Sequence, residues 1–157
     1  MDAVKLRPSN DGDSHFIYSS WLQSFREINV LKLKDLVSEA REYKTGPALW
    51  DRESYFKRQR HLIAEVLKVS EVSVCCSPDD EGQIFGFIVY RDYAPAIRII
   101  SYVYVKHTFR KLGMARKLFE ALGECHVATH GGVSTKKLIQ KAGLVYDPFF
   151  DYELGAK

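Results

Sequence analysis

From Val103 to Ala115 the chain reads Val-Tyr-Val-Lys-His-Thr-Phe-Arg-Lys-Leu-Gly-Met-Ala. The β-branched and aromatic residues predict a strand. A short polar turn with the basic pair Arg110-Lys111 follows, and a helix then opens on Gly113, with Arg110, Gly113 and Ala115 at the spacing Arg-x-x-Gly-x-Ala. A strand that enters a helix through such a turn leaves the first backbone N–H groups of that helix without partners, beside positive side chains. This is a phosphate-binding device and points to a nucleotide-like cofactor. The helix over Leu112 to Leu122 returns on the sheet through Ala115, Leu118, Phe119 and Leu122, at i, i+3, i+4 and i+7.

The rest of the chain is ordered around this block. Ala3 to Arg7 predicts a first strand, ended by Pro8 and a polar run to Asp13. A helix capped by Asp13 or Ser14 carries Ile17, Trp21 and Phe25 on one face. Asn29 to Tyr43 reads as a second helix, broken by Gly46-Pro47. Asp51 to Val69 is a clearer helix. Its apolar stripe is Tyr55, Leu62, Val66 and Val69, and its cluster Lys57, Arg58 and Arg60 reads as a solvated face. The period then changes. Val72–Cys76, Gln83–Tyr90 and Ile97–Val105 read as an antiparallel meander, with turns at 78–82 and 92–96. Beyond Gly123 come a short strand from Cys125 to Thr129, a helix from Ser134 to Ala142 capped by Gly143, and an aromatic-rich stretch from Leu144 to Leu154 that predicts a last strand around Pro148.

A chain of 157 residues with 46% hydrophobic content is one domain with enough apolar mass for a core. The net charge of +3 is too mild to argue by itself for a nucleic-acid partner. No apolar run near the start predicts a signal peptide, and none is long enough to span a membrane. Cys75, Cys76 and Cys125 have no paired spacing, and no Cys/His cluster has zinc spacing, so no disulfide framework and no metal are expected. A reducing, cytoplasmic setting is the expectation.

The order strand, helices, three-strand meander, Arg-x-x-Gly-x-Ala helix, strand, helix, strand resembles the GNAT superfamily of N-acetyltransferases along almost the whole chain. Gly86-Phe87-Ile88-Val89-Tyr90 is similar to the family's Gly-hydrophobic strand, and Lys141-Ala142-Gly143-Leu144 to its closing Lys-x-Gly-Phe. Tyr146-Asp147-Pro148-Phe149 also resembles GNAT-like proteins of bacteriophages. The resemblance implies an α/β (α+β) fold in a single domain over residues 1–157: a mixed, mostly antiparallel sheet of about six to seven strands flanked by about four helices. It implies acetyl-CoA as co-substrate. Arg110, Lys111, Leu112, Gly113, Met114 and Ala115 would hold the pyrophosphate, with Arg116 or Lys117 near the ribose phosphate. Val103, Tyr104 and Val105 would line the pantetheine arm at a gap in the sheet.

For catalysis the family pattern is incomplete. Many members use a Tyr four residues before the closing Gly, where this chain has Ile139, and a Glu on the strand before the motif, where Ile99, Ile100, Ser101 and Tyr102 stand. Tyr102, His130 and Tyr146 are the candidates for proton transfer. Ser101 and Ser134 are further ones, Cys125 would be the nucleophile of a ping-pong route, and each also has a plain packing or turn reading. The expected activity is transfer of an acetyl group from acetyl-CoA to a primary amine of a small molecule or a protein, directly in a ternary complex, by a monomer or homodimer. Glu39, Glu42, Asp51 and Glu53 stand among Lys32, Lys34, Arg41 and Lys44 in the region that would border the acceptor, so its charge is left open. The alternative is a GNAT-fold protein with little or no catalysis that binds a host protein or nucleic acid through its aromatic and basic surface.

Overall fold

The computed structural model describes residues 4–24, 52–131 and 133–150. The helix expected over Asn29 to Tyr43, the Gly46-Pro47 break, Phe25, and the mixed charges of Lys32 to Asp51 lie outside them.

Among the described residues the chain forms one sheet in the spatial order β1-β2-β3-β4-β5-β6. The strands are β1 (Lys5–Pro8), β2 (Glu71–Cys76), β3 (Ile84–Ala94), β4 (Ile97–Val105), β5 (Val127–Ala128) and β6 (Val145–Tyr146). The first four pair antiparallel; β5 joins β4, and β6 joins β5, in parallel. The helices are α1 (residues 14–24), α2 (Arg52–Lys68), α3 (Met114–Leu122) and α4 (Val133–Lys141). This is the mixed α/β class expected from the sequence.

Period-2 alternation gives the sheet two apolar faces, and each is covered. Val74, Phe87, Val89 and Tyr102 pack with Ile17 and Trp21 of α1 and with Ile63 and Val66 of α2. Cys75, Ile88 and Ile100 pack with Met114 and Leu118 of α3 and Ile139 of α4. Val69, expected in the α2 stripe, lies past the end of the helix and is exposed. Lys57, Arg58, Arg60 and His61 form an exposed face of α2, as the sequence suggested.

Three departures from the expected elements have visible causes. The turn expected at Asp92 to Ala96 is strand as far as Ala94. There the Arg98 guanidinium donates to both carboxylate oxygens of Asp92 across the β3–β4 pair, at 2.7 and 3.0 Å. The short strand expected over Cys125 to Thr129 contracts to β5, although the N–H groups of His126 and Thr129 continue its bonds to the carbonyls of Arg98 and Ile100. The last strand contracts to Val145–Tyr146, because the Asp147 carboxylate accepts the Phe149 N–H and turns the chain at Pro148.

Candidate functional site

The candidate site begins where β4 ends. Gly86 faces Val105, and a Cβ at Gly86 would stand 2.5 Å from the Tyr104 carbonyl oxygen, so only glycine lets β3 and β4 approach there. Just before it Phe85 is an extra residue in β3, opposite the Cys75/Cys76 step of β2. Its carbonyl accepts the Lys106 N–H at 2.8 Å, and its ring packs on Phe109 with centroids 4.3 Å apart. Phe85 thus anchors the turn that carries the basic pair. Nothing in its own sequence neighbourhood marks Phe85 apart from Gly86 beside it, a glycine inside a strand being a recognised sign of such an irregularity.

The turn itself is short and strained. A 3-10 turn over His107–Phe109 leads to Arg110 in an extended conformation. Lys111 follows at φ 67° and Gly113 at φ 80°, both left-handed; Leu112 between them is not. Alternating signs of φ turn successive N–H groups toward one side, which is the backbone form of an anion nest. Left-handed backbone on a lysine costs about 1–3 kcal/mol, and such strain gathers at functional sites. Gly113 caps α3, whose first internal bond runs from the Lys117 N–H to the Gly113 carbonyl. The N–H groups of Gly113, Met114, Ala115 and Arg116 are therefore not used within the helix. Lys106, Arg110, Lys111, Arg116 and Lys117 are the charged residues from 106 to 117, and no carboxylate stands among them. Glu120, one turn on, takes Arg116 into an exposed ion pair.

The expected binding residues have distinct roles in this turn. Arg110 reaches back, and its Nε donates to the Val105 carbonyl at 3.1 Å, fastening the turn to the strand. Met114 is buried, with its sulfur 3.8 Å from that of Cys75. Leu112 is exposed. Val103 and Tyr104 are partly exposed on β4.

The two edges of β4 differ. β3 pairs along its whole length, but β5 pairs only with Ile99 and Ile100. From Ser101 onward the second edge of β4 has no strand beside it among the described residues. The change falls at a bulge: Val89 faces Tyr102 and Tyr90 faces Ile100, so Ser101 is the extra residue. The slip also breaks the alternation, since Ile100 and Val103 pack under α3 whereas Tyr102 packs under α1.

The candidates for proton transfer gather near this bulge. Tyr102 is buried, its ring stacked on Trp21 (4.9 Å, planes within 2°) and edge-on to His130 (5.0 Å). Its hydroxyl donates weakly to the Ser20 carbonyl, at 3.4 Å. His130 follows β5, and burial pulls its imidazole down to about 4, so it is neutral at pH 7. A neutral imidazole accepts a proton but has no imidazolium proton to give. Tyr146 is half-exposed on the edge strand β6, and a Cβ on Gly131 would stand 3.0 Å from its ring. Ile139 is buried under the sheet. Cys125 lines a different space, a cleft of about 690 Å³ at the far end of α3 with Phe119, Glu124 and His126, and burial pushes its thiol up, away from the nucleophilic thiolate. The side chain of Ser134 lies outside the described residues.

Among the described residues no group of three or more His, Cys, Asp or Glu could hold a metal, and no helix is long and apolar enough to cross a membrane.

No protein-family model matches the sequence, and no curated protein does. Among solved structures the fold is similar to an acetyltransferase of the GNAT family from Staphylococcus aureus, at 13% identity over 76% of this chain and 62% of that one, with a TM-score of 0.44. It is similar to a GNAT family acetyltransferase from Elizabethkingia anophelis with acetyl-CoA bound, at 12% identity over 92% and 62%, with a TM-score of 0.41. It is also similar to glucosamine-6-phosphate N-acetyltransferase from Arabidopsis thaliana, at 16% identity over 93% and 94%, with a TM-score of 0.43. The chain spans 62% of the length of the first two.

Proposed function

We propose that the protein is an acetyl-CoA-dependent N-acetyltransferase. One observation carries the reading: a basic, carboxylate-free turn with alternating φ sits at the end of a strand whose outer edge is open. The N–H groups from Lys111 to Ala115 would hold the pyrophosphate, with charge from Lys111 and Lys117. The open edge between Ser101 and Val105 offers backbone groups to the amides of the pantetheine arm. Acetyl-CoA supplies the activated acyl group. His130, unprotonated at neutral pH, is the candidate to take the proton of the attacking amine, and the burial that keeps it neutral also makes it a weak base until the acceptor is bound. Tyr146, half-exposed and near Gly131, is suited to give one to the leaving thiolate; Tyr102 is the other candidate for that step.

Calorimetric titration with acetyl-CoA and with free coenzyme A tests the reading. Micromolar binding at one site per chain is expected, and no binding of either ligand would defeat it. A second reading, a non-catalytic protein that binds nucleic acid, draws on the exposed basic face of Lys57, Arg58, Arg60 and His61. Salt-dependent retention of an oligonucleotide by wild type, lost in Lys57→Glu/Arg60→Glu, would favour it.

A further inference from the structure

Ser101 is 1% exposed, and its Oγ has no hydrogen-bond partner among the described residues. A buried hydroxyl without a partner lowers stability, and such groups in native proteins call for a reason. Its place in the fold supplies one. Ser101 is the bulged residue of β4 and the first beyond the last β5 pair, Ile100 with Ala128. Thr129 next to that pair spends its hydroxyl on the Ser101 carbonyl, at 3.5 Å, and leaves the Ser101 hydroxyl unused. Four strand residues separate Ser101 from the basic turn, a run of about 13 Å. An extended arm anchored by phosphate in the turn and laid along the open edge would bring its far end to Ser101.

We propose that the Ser101 hydroxyl donates a hydrogen bond to the carbonyl oxygen of a thioester-bound acyl group lying along the open edge of β4. The proposal rests on the acetyltransferase reading above. It makes Ser101 an acyl-recognising residue: the hydroxyl meets a ligand that carries the acyl carbonyl and misses one that ends in a free thiol. The same bond strengthens as negative charge grows on that oxygen, which is where a fixed donor aids transfer.

The test compares binding of acetyl-CoA and free coenzyme A by wild type, Ser101→Ala and Ser101→Cys, with thermal melts of the unliganded proteins. Wild type is expected to prefer acetyl-CoA by about fivefold, the value of one hydrogen bond. In Ser101→Ala the preference should fall to about one, and the weak thiol donor of Ser101→Cys should leave it between. Unliganded Ser101→Ala should melt about 3 °C higher than wild type, because it sheds an unpaired buried hydroxyl. A preference unchanged by Ser101→Ala, no preference in wild type, or a lower melting temperature in Ser101→Ala overturns the assignment while leaving the acetyltransferase reading intact. Failure of wild type to bind either ligand overturns both.

Discussion

The indole of Trp21 lies flat on the ring of Tyr102, with centroids 4.9 Å apart and planes within 2°. Trp21 comes from α1 and Tyr102 from β4, so the stack fixes the first helix over the strand that carries the candidate site. Both rings are buried, and Phe87 packs on the same Tyr102 ring. Trp21→Ala should cost about 3–5 kcal/mol through lost burial and a residual cavity. Tyr102→Phe keeps the stack and gives up one long hydrogen bond to Ser20, and should cost less than about 1 kcal/mol. Urea denaturation of the two variants checks the ranking. Similar losses in both would mean that the hydroxyl, not the stack, holds the pair.

Gly86 and Gly113 should respond to substitution in opposite ways. At Gly86 an added Cβ meets the Tyr104 backbone at 2.5 Å, so Gly86→Ala must push β3 and β4 apart. The expected loss is about 3 kcal/mol or more, with soluble yield falling in step. At Gly113 nothing lies within 4 Å of an added Cβ, and the cost is only the left-handed backbone at φ 80°. Gly113→Leu should therefore fold, losing about 1–2 kcal/mol. Its affinity for acetyl-CoA should nevertheless drop at least about tenfold, since the N–H groups of the turn can no longer be approached closely. Paired melts and titrations separate the two effects. A Gly113→Leu protein that binds as wild type does would remove the turn from the site.

Lys111 offers the reverse experiment. Its φ of 67° is unfavourable for a side chain with a Cβ and free of strain for glycine. Lys111→Gly should raise stability by up to about 1 kcal/mol while weakening acetyl-CoA binding by removing a positive charge from the turn. A stability gain with unchanged affinity, measured by melts and calorimetry, would make the strain incidental to binding.

The parts of the fold set by local chemistry were legible in the chain. The three central strands, α3 and its capping glycines follow from β-branched runs, an i, i+3, i+4, i+7 stripe and left-handed glycines, each a property of a few neighbouring residues. What could not be read were features that need two distant segments at once. Asp92 looks like a turn residue until Arg98 is across from it. Phe85 looks like an ordinary strand residue until the Lys106 N–H and the Phe109 ring come to it. Arg110 reads as a phosphate ligand from its spacing, yet its Nε serves the Val105 carbonyl. For the candidate site, sequence could name the basic turn and the residues on β4. It could not show that β5 abandons β4 at Ser101, because the length of a parallel pair is decided by both strands.

Arg7 and Asp13 should govern stability in acid. Two guanidinium nitrogens of Arg7 meet the two carboxylate oxygens of Asp13 at 2.6 and 2.9 Å, both side chains at least nine-tenths buried, and the Asn10 N–H adds a third bond to the carboxylate. The Arg7 guanidinium holds the Asp13 carboxyl below its usual range. The contribution is present at neutral pH and is lost as the pH falls below about 4, through the lowered folded value. Asp13→Asn leaves the buried guanidinium with only the longer, exposed pair to Glu81 at 3.7 Å, and should cost about 3 kcal/mol at pH 7. The gap between variant and wild type should close toward pH 2. A gap constant from pH 7 to pH 2 would show that packing, not charge, explains the loss.

His130 should act at higher pH and with a wider span. Burial lowers its folded value from 6.5 to about 4, so between those limits the unfolded chain binds a proton that the folded one refuses. Stability must then rise with pH across that window, by about 3 kcal/mol in all, and level off above about pH 6.5. His130→Phe removes the titrating group and keeps a ring against Tyr102, so its stability should be flatter between pH 4 and 6.5 and should overtake wild type at the acid end. In the acetyltransferase reading the same group is already unprotonated at pH 6. Acetyl transfer should therefore show no inflection near pH 6.5 from this residue, and His130→Phe should lower the rate across the whole neutral range. Melts of both proteins at half-unit steps from pH 4 to 7.5 test the first part. Parallel curves would mean that the folded imidazole takes up its proton over the same pH range as the unfolded one, so that burial does not hold it neutral between pH 4 and 6.5.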